Sequence, residues 1–171
     1  MTKPLFGISG FKNSGKTTLT ASLIAEFTSR ELSVSSVKHA HHEFDLDQPG
    51  TDTDKHRSSG AKEVVISSAK RWALMHEISA DEDEPNLQTL ITHMADADLI
   101  LAEGFKSEEH PKVLLIASDE QAKLMGRINN VVAIAAEPNI EIDSDLPRFE
   151  RNDIKQIADF IAQHLNLEPR S

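Results

Sequence analysis

Apolar positions along the chain alternate between short unbroken runs and stretches spaced by three or four residues, a rhythm that predicts alternating strands and helices. Pro4–Ser9 (PLFGIS) has the length and composition of a buried strand, and Gly10–Gly15 follows it as a loop. In Lys16–Arg30 the residues Leu19, Leu23, Ile24 and Phe27 recur at helical spacing, so one face of that helix packs on a sheet. Val34–Lys38 is the next strand, and strand, helix, strand implies a parallel pair with a right-handed connection. Thr53–Gly60 reads as a short helix, and Glu63–Ser67 with Arg71–Glu77 as an antiparallel hairpin. Pro85 opens a helix carrying Leu87, Leu90, Ile91 and Met94. Asp98–Ala102, Lys112–Ala117 and Val131–Ala135 are three further apolar strands, and Asn152–Leu165 is a closing helix with Ile154, Ile157, Ala158, Ile161 and Leu165 on one face. Near-continuous apolar strands between helices predict an α/β fold with a mostly parallel central sheet and an antiparallel extension. The sequence contains no internal repeat and no low-complexity segment. His39–Asp54 breaks the rhythm, with a turn at Pro49-Gly50, and a loop of that length is usually functional or disordered.

Composition narrows the class. A chain of 171 residues, 39% apolar and 27% charged, is expected to be one globular domain over 1–171. The net charge of −10 argues against general nucleic-acid binding and leaves anionic ligands to local positive clusters, Lys38–His42 and Lys55–Arg57. With no cysteine there is no disulfide, thiolate metal site or cysteine nucleophile. The first residues lack the features of a signal peptide, and no apolar run approaches the roughly 20 residues that span a bilayer, so a cytoplasmic protein free of the membrane is expected.

The chemistry begins at Gly10–Thr17, GFKNSGKT, which fits G-x-x-x-x-G-K-[ST] at every fixed position. Glycines let the backbone curl so that successive N–H groups face phosphate oxygens, and the following helix adds its positive N-terminal end. In such a loop Lys16 reaches the β- and γ-phosphates and the Thr17 hydroxyl is a ligand for Mg²⁺. An apolar strand before the loop and an amphipathic helix after it supply the required context. Glu103, at the end of the apolar run Asp98–Ala102, stands where a second acidic group would complete the metal shell, and Gly104 lets the backbone turn close to the γ-phosphate. Lys106 fits an anion contact or an exposed position equally.

His39–Asp47 gathers His39, His41, His42, Asp45 and Asp47 just past the second strand. Imidazoles with carboxylates suit a divalent metal, an anion-binding surface beside the phosphates, or a plain polar loop. Asp52–Arg57 reads equally as a solvated helical face, and Trp72 as core or interface rather than as a stacking platform. The usual guanine-selecting tetrapeptide N-K-x-D is absent, so the base is not read from a motif; Ala135-Ala136-Glu137-Pro138, directly after an apolar strand, is where this layout would read one.

The segments GFKNSGKTTL, VKHAHHEFDLDQPGTDTDKHRSSGA, RWALMHE and DLILAEGFK, in that order between Phe6 and Lys106, resemble the molybdopterin-guanine dinucleotide biosynthesis adapter (MobB) family. The resemblance implies a P-loop NTPase fold, GTP and Mg²⁺ as ligands with weak hydrolysis, and a homodimer. It further implies an accessory role to the molybdenum cofactor guanylyltransferase, with GTP or the molybdopterin of the cofactor being presented. Carried over, Asn13, Ser14, Gly15, Lys16, Thr17 and Thr18 would hold the phosphates, and Thr17 and Glu103 would sit at Mg²⁺. The loop with Lys38, His39, His41, His42, Asp45 and Asp47 would face the nucleotide or the pterin phosphate. Beyond Lys106 no residue is carried over. Two other readings share the P-loop: a small-molecule kinase with Asp45 or Asp47 as general base, and a nickel-type metallochaperone GTPase whose histidine-rich loop is the metal site.

Overall fold

In the computed structural model, which describes residues 3–40 and 44–167, the apolar runs become a sheet with a separate hairpin. The elements in chain order are β1 (Leu5–Gly10), α1 (Lys16–Ser29), β2 (Val34–Lys38), α2 (Asp52–Ser58), β3 (Glu63–Ser67), β4 (Trp72–His76), α3 (Leu87–Thr92), β5 (Leu99–Glu103), β6 (Lys112–Ile116), α4 (Asp119–Ala122), β7 (Val131–Ala136), β8 (Arg148–Glu150) and α5 (Ile154–Leu165). The chain divides into two compact units, Met1–His39 with Leu87–Ser171, and Ala40–Asn86.

The first unit is a six-stranded sheet in the order β2-β5-β1-β6-β7-β8, parallel throughout. Its central strands are apolar on both faces because both are covered. Phe6, Ile8, Leu99, Leu101, Val113 and Leu115 pack with Leu19, Leu23 and Phe27 of α1 and with Ile157, Ala158 and Ile161 of α5. On the opposite face Ile100 and Ala102 meet Leu87 and Ile91 of α3, while Leu114, Ile116 and Ile134 meet Ile128 and Ile140. The Asp153 side chain caps α5 by accepting from Gln156 N at 3.1 Å, and the helix ends on Asn166 in the left-handed region at φ 52°. Three elements had no counterpart in the hydrophobic pattern: β8, α4 and a 3-10 turn at Met125–Arg127, each of three or four residues and too short to carry a period.

Because β5 and β6 flank β1, residues 104–111 cross the face of β1 without a helix. Gly7 makes room for the crossing, since a Cβ there would lie 2.5 Å from His110 Nε2 and 2.7 Å from Lys112 Cβ. Ser9 Oγ donates to Gly104 O at 2.6 Å, and the buried Lys112 ammonium donates to the carbonyls of Glu108, His110 and Asn129 at 2.5–3.0 Å. His110 is buried with neither ring nitrogen hydrogen-bonded among the described residues, and burial, aided by the Lys112 charge, lowers its pKa to about 4. The unfolded chain therefore takes up a proton between pH 6.5 and about 4 that the folded chain refuses. Stability present above pH 6.5 should fall by roughly 3 kcal/mol across that window. His110→Leu should flatten this part of the profile, as read by urea denaturation at pH 7 and pH 4.5.

The second unit has little apolar interior, with Val64 its one buried apolar residue among the described residues. Charge organises it instead. The Arg57 guanidinium meets Asp45 at 3.1 Å, Glu77 at 3.0 Å and Asp54 at 3.8 Å. Its Nε also lies 3.1 Å from Asp47 Oδ2, close enough for an ion pair though not aligned as a hydrogen bond. The expectation that Lys55–Arg57 is a positive cluster for anionic ligands is thereby corrected, because the strongest cation of that stretch faces four carboxylates. β3 and β4 pair antiparallel from Glu63↔His76 to Ser67↔Trp72. Val65, Leu74 and Trp72 share one face of this hairpin and are exposed, Trp72 by 66%. Trp72 is therefore not part of a core within this chain.

Candidate functional site

The loop between β1 and α1 turns twice through the left-handed region, at Asn13 (φ 62°) and Gly15 (φ 91°). Such a turn aims consecutive N–H groups at one point, which suits an anion. The first turn of α1 has no acidic residue, so nothing in that turn opposes negative charge at its N-terminus. Ser14 Oγ is buried with no hydrogen-bond partner among the described residues. Lys16 Nζ donates to Phe11 O at 2.8 Å, folding its ammonium back over the loop. Its pKa is lowered, first by burial, then by Lys106 and Lys38, with Glu103 pulling the other way. Three ammonium groups at the loop with too few carboxylates make a site that gains from an incoming polyanion. The Lys106 ammonium lies 5.0 Å from the centroid of the Phe11 ring, inside the same loop.

β5 carries Glu103 to the mouth of the loop, where its carboxylate is largely buried. Thr17 Oγ1 donates to Glu103 Oε1 at 2.8 Å. Lys38 Nζ, from the end of β2, lies 3.1 Å from the same carboxylate oxygen and 3.2 Å from Thr17 Oγ1. One cation thus already spans the two oxygens expected to hold Mg²⁺. This donor set, a hydroxyl and a carboxylate, is the hard-oxygen chemistry that Mg²⁺ prefers, and the residues fit the ion.

The expected residues separate into groups. Asn13, Ser14, Gly15, Lys16, Thr17 and Thr18 form the loop and the first turn of α1, with Lys38, Glu103 and Lys106 around it. His39 follows β2 directly: its backbone N–H donates to Glu103 O at 2.9 Å and its ring lies 5.3 Å from that of Phe105. Asp45 and Asp47 belong to the second unit and pair with Arg57. His41 and His42 lie outside the described residues. No cluster of three or more histidine, aspartate or glutamate side chains able to hold a metal occurs among the described residues. Arg151, which sequence reasoning passed over, donates from Nη2 to Ser14 O at 3.1 Å across 137 positions of chain. No local pattern announces such a contact.

A parallel sheet with a glycine-turned loop leading from its central strand into a helix, and a strand-end carboxylate on the helix threonine, defines the P-loop NTPase fold. The family model described as "Molybdopterin guanine dinucleotide synthesis protein B" (MobB) matches residues 5–137. The molybdopterin-guanine dinucleotide biosynthesis adapter protein of Haemophilus influenzae is 39% identical over 168 residues, 95% of this chain and 90% of that protein. Its counterpart from Escherichia coli is 35% identical over 162 residues, 94% of this chain and 92% of that protein. The crystal structure of Bacillus subtilis MobB matches with a TM-score of 0.77 over 98% of this chain and 99% of that one at 23% identity, a likeness of fold. This chain belongs to the MobB family.

Proposed function

We propose that this protein is a Mg²⁺-dependent GTP-binding adapter in molybdopterin guanine dinucleotide biosynthesis, assisting the guanylyltransferase that joins GMP to molybdopterin. The observation that carries the reading is the Thr17–Glu103 oxygen pair spanned by the Lys38 ammonium at the mouth of a P-loop. With nucleotide bound, the N–H groups of Asn13–Thr18 and the Lys16 ammonium would hold the phosphates, and Thr17 with Glu103 would hold the metal. Mg²⁺, when bound, neutralises charge between the outer phosphates. Lys38 would give up that oxygen pair to the metal and, with Lys106, would be available to phosphate oxygens. Hydrolysis is slow in this reading, because Glu103 is committed with Thr17 to the metal site and is not free to orient a water.

Molybdopterin is the second ligand of this reading, its terminal phosphate meeting His39 at the end of β2. The working form is a cytoplasmic homodimer that uses the exposed Val65–Leu74–Trp72 face, an apolar patch of the kind that marks protein contacts. No helix among the described residues is long and apolar enough to cross a membrane. The kinase alternative gains no support, as Asp45 and Asp47 are both paired with Arg57.

Titration calorimetry with GTP and ATP, with and without Mg²⁺, tests the reading. GTP should bind in the presence of Mg²⁺ and weaken at least about tenfold in EDTA, a loss of roughly 1.4 kcal/mol. A clear preference for ATP would overturn the guanine assignment. Capture of the guanylyltransferase from a cell extract, and light scattering for the dimer, address the partners.

A further inference from the structure

The P-loop has two unlike sides. Glu103 and Lys38, from β5 and β2, gather on one side of β1, so the metal and the terminal phosphates lie there. On the other side stand the carboxyl ends of β6, β7 and β8, where open α/β sheets receive the rest of a ligand. A cleft of about 120 Å³ opens beside Gly15 and Thr18 on that side, lined also by Leu115, Arg151 and Asn152.

Arg151 lines this cleft, and Arg148 fixes the turn after β7 that carries Glu137. Arg151 reaches the loop, donating to Ser14 O at 3.1 Å, and a side chain at Gly15 would collide with its guanidinium. Through Nε, Arg151 also faces Glu137 Oε1 at 3.6 Å. Arg148 Nη2 donates to the carbonyl oxygens of Glu137 and Pro138 at 2.6 and 3.3 Å, which pins the turn after β7. Glu137 is therefore held by its backbone and steered by its side chain, yet that side chain remains 45% exposed. A half-exposed carboxylate on a fixed turn thus stands one ion pair away from the phosphate loop.

We propose that the ends of β7 and β8 form the base subsite of the nucleotide, with the Glu137 carboxylate reading a purine that presents adjacent N–H donors and Arg151 coupling that position to the P-loop. The proposal rests on the triphosphate reading above and names its specificity. Guanine offers N1–H and the 2-amino group side by side, and one carboxylate accepts both. Adenine presents a ring-nitrogen acceptor at the same edge, which a carboxylate repels. Guanine selection is thereby supplied without an N-K-x-D motif.

The test is titration of GTP, ITP, ATP and inorganic tripolyphosphate, each with Mg²⁺, into the wild-type protein, Glu137→Gln and Glu137→Asp. Wild-type affinity should run GTP, then ITP, which lacks the 2-amino group, then ATP. Glu137→Gln should reduce the GTP-over-ATP ratio by at least about tenfold, as expected when a site built for hydrogen bonding loses its match. Tripolyphosphate affinity should change far less than the GTP-over-ATP ratio does, and Glu137→Asp should restore part of the ratio. A Glu137→Gln protein that binds tripolyphosphate normally and keeps its GTP-over-ATP ratio overturns the base subsite, as does a wild type with no preference for GTP. A wild type that binds neither tripolyphosphate nor any nucleotide overturns the P-loop reading beneath it.

Discussion

Lys16→Ala should weaken Mg·GTP binding by roughly ten- to a hundredfold while leaving the melting temperature of the free protein almost unchanged. A hydrogen bond to a charged group contributes about 1.5–3 kcal/mol, and each 1.4 kcal/mol is tenfold in affinity. Lys16 is partly buried beside Lys38 and Lys106, so its charge is opposed until phosphate arrives. The hydrogen bond of its ammonium among the described residues is to the Phe11 carbonyl, which sits in a surface loop where water can replace the ammonium. The loss therefore falls on the bound state. Calorimetry for affinity and a thermal melt for stability separate the two, and a Lys16→Ala protein that binds Mg·GTP like wild type would remove the P-loop from the function.

How much of this was readable beforehand depended on how local each feature is. β1, β5, β6 and β7 are unbroken apolar runs because both faces of the sheet are covered, and such runs stand out in a sequence. β8 does not, since Arg148-Phe149-Glu150 has one apolar residue and its strand character comes from pairing with Ile134–Ala136. The P-loop lies within eight consecutive residues, and Glu103 follows an apolar strand, so both were legible from pattern. That Lys38 spans Thr17 and Glu103 was not legible, because the register of β2 against β5 decides it, with Lys38 opposite Glu103. The same holds for Arg57. Its alternating-charge neighbourhood looks like a solvated face, and only the return of the chain at Glu77 and the turn at Asp45–Asp47 make it the centre of a charged cluster.

Lys112 was the least legible residue, a lysine opening an apolar strand, and its removal should have the largest effect on stability. Lys112→Ala should cost about 3–5 kcal/mol, in the range of large core truncations, measured by urea denaturation at pH 7. The ammonium is fully buried, and burial lowers its pKa while Glu109 and Glu108 act to raise it. All three N–H groups are spent on the carbonyls of Glu108, His110 and Asn129, the arrangement that makes a buried charge tolerable. Deleting the side chain leaves those carbonyls without donors and a void beside Gly7, under the segment that crosses β1. That segment carries Gly104, held by Ser9, and Lys106, which reaches the P-loop at Phe11. Lys112→Met separates the contributions, since it keeps most of the stem, removes the desolvated charge and strands the carbonyls. Its cost should be smaller, about 1–3 kcal/mol, and the folded protein should bind GTP more weakly because the crossing segment loses its anchor. A Lys112→Met protein as stable as wild type, with unaltered GTP affinity, would mean that packing of the stem, rather than the three carbonyl contacts, holds the crossing in place.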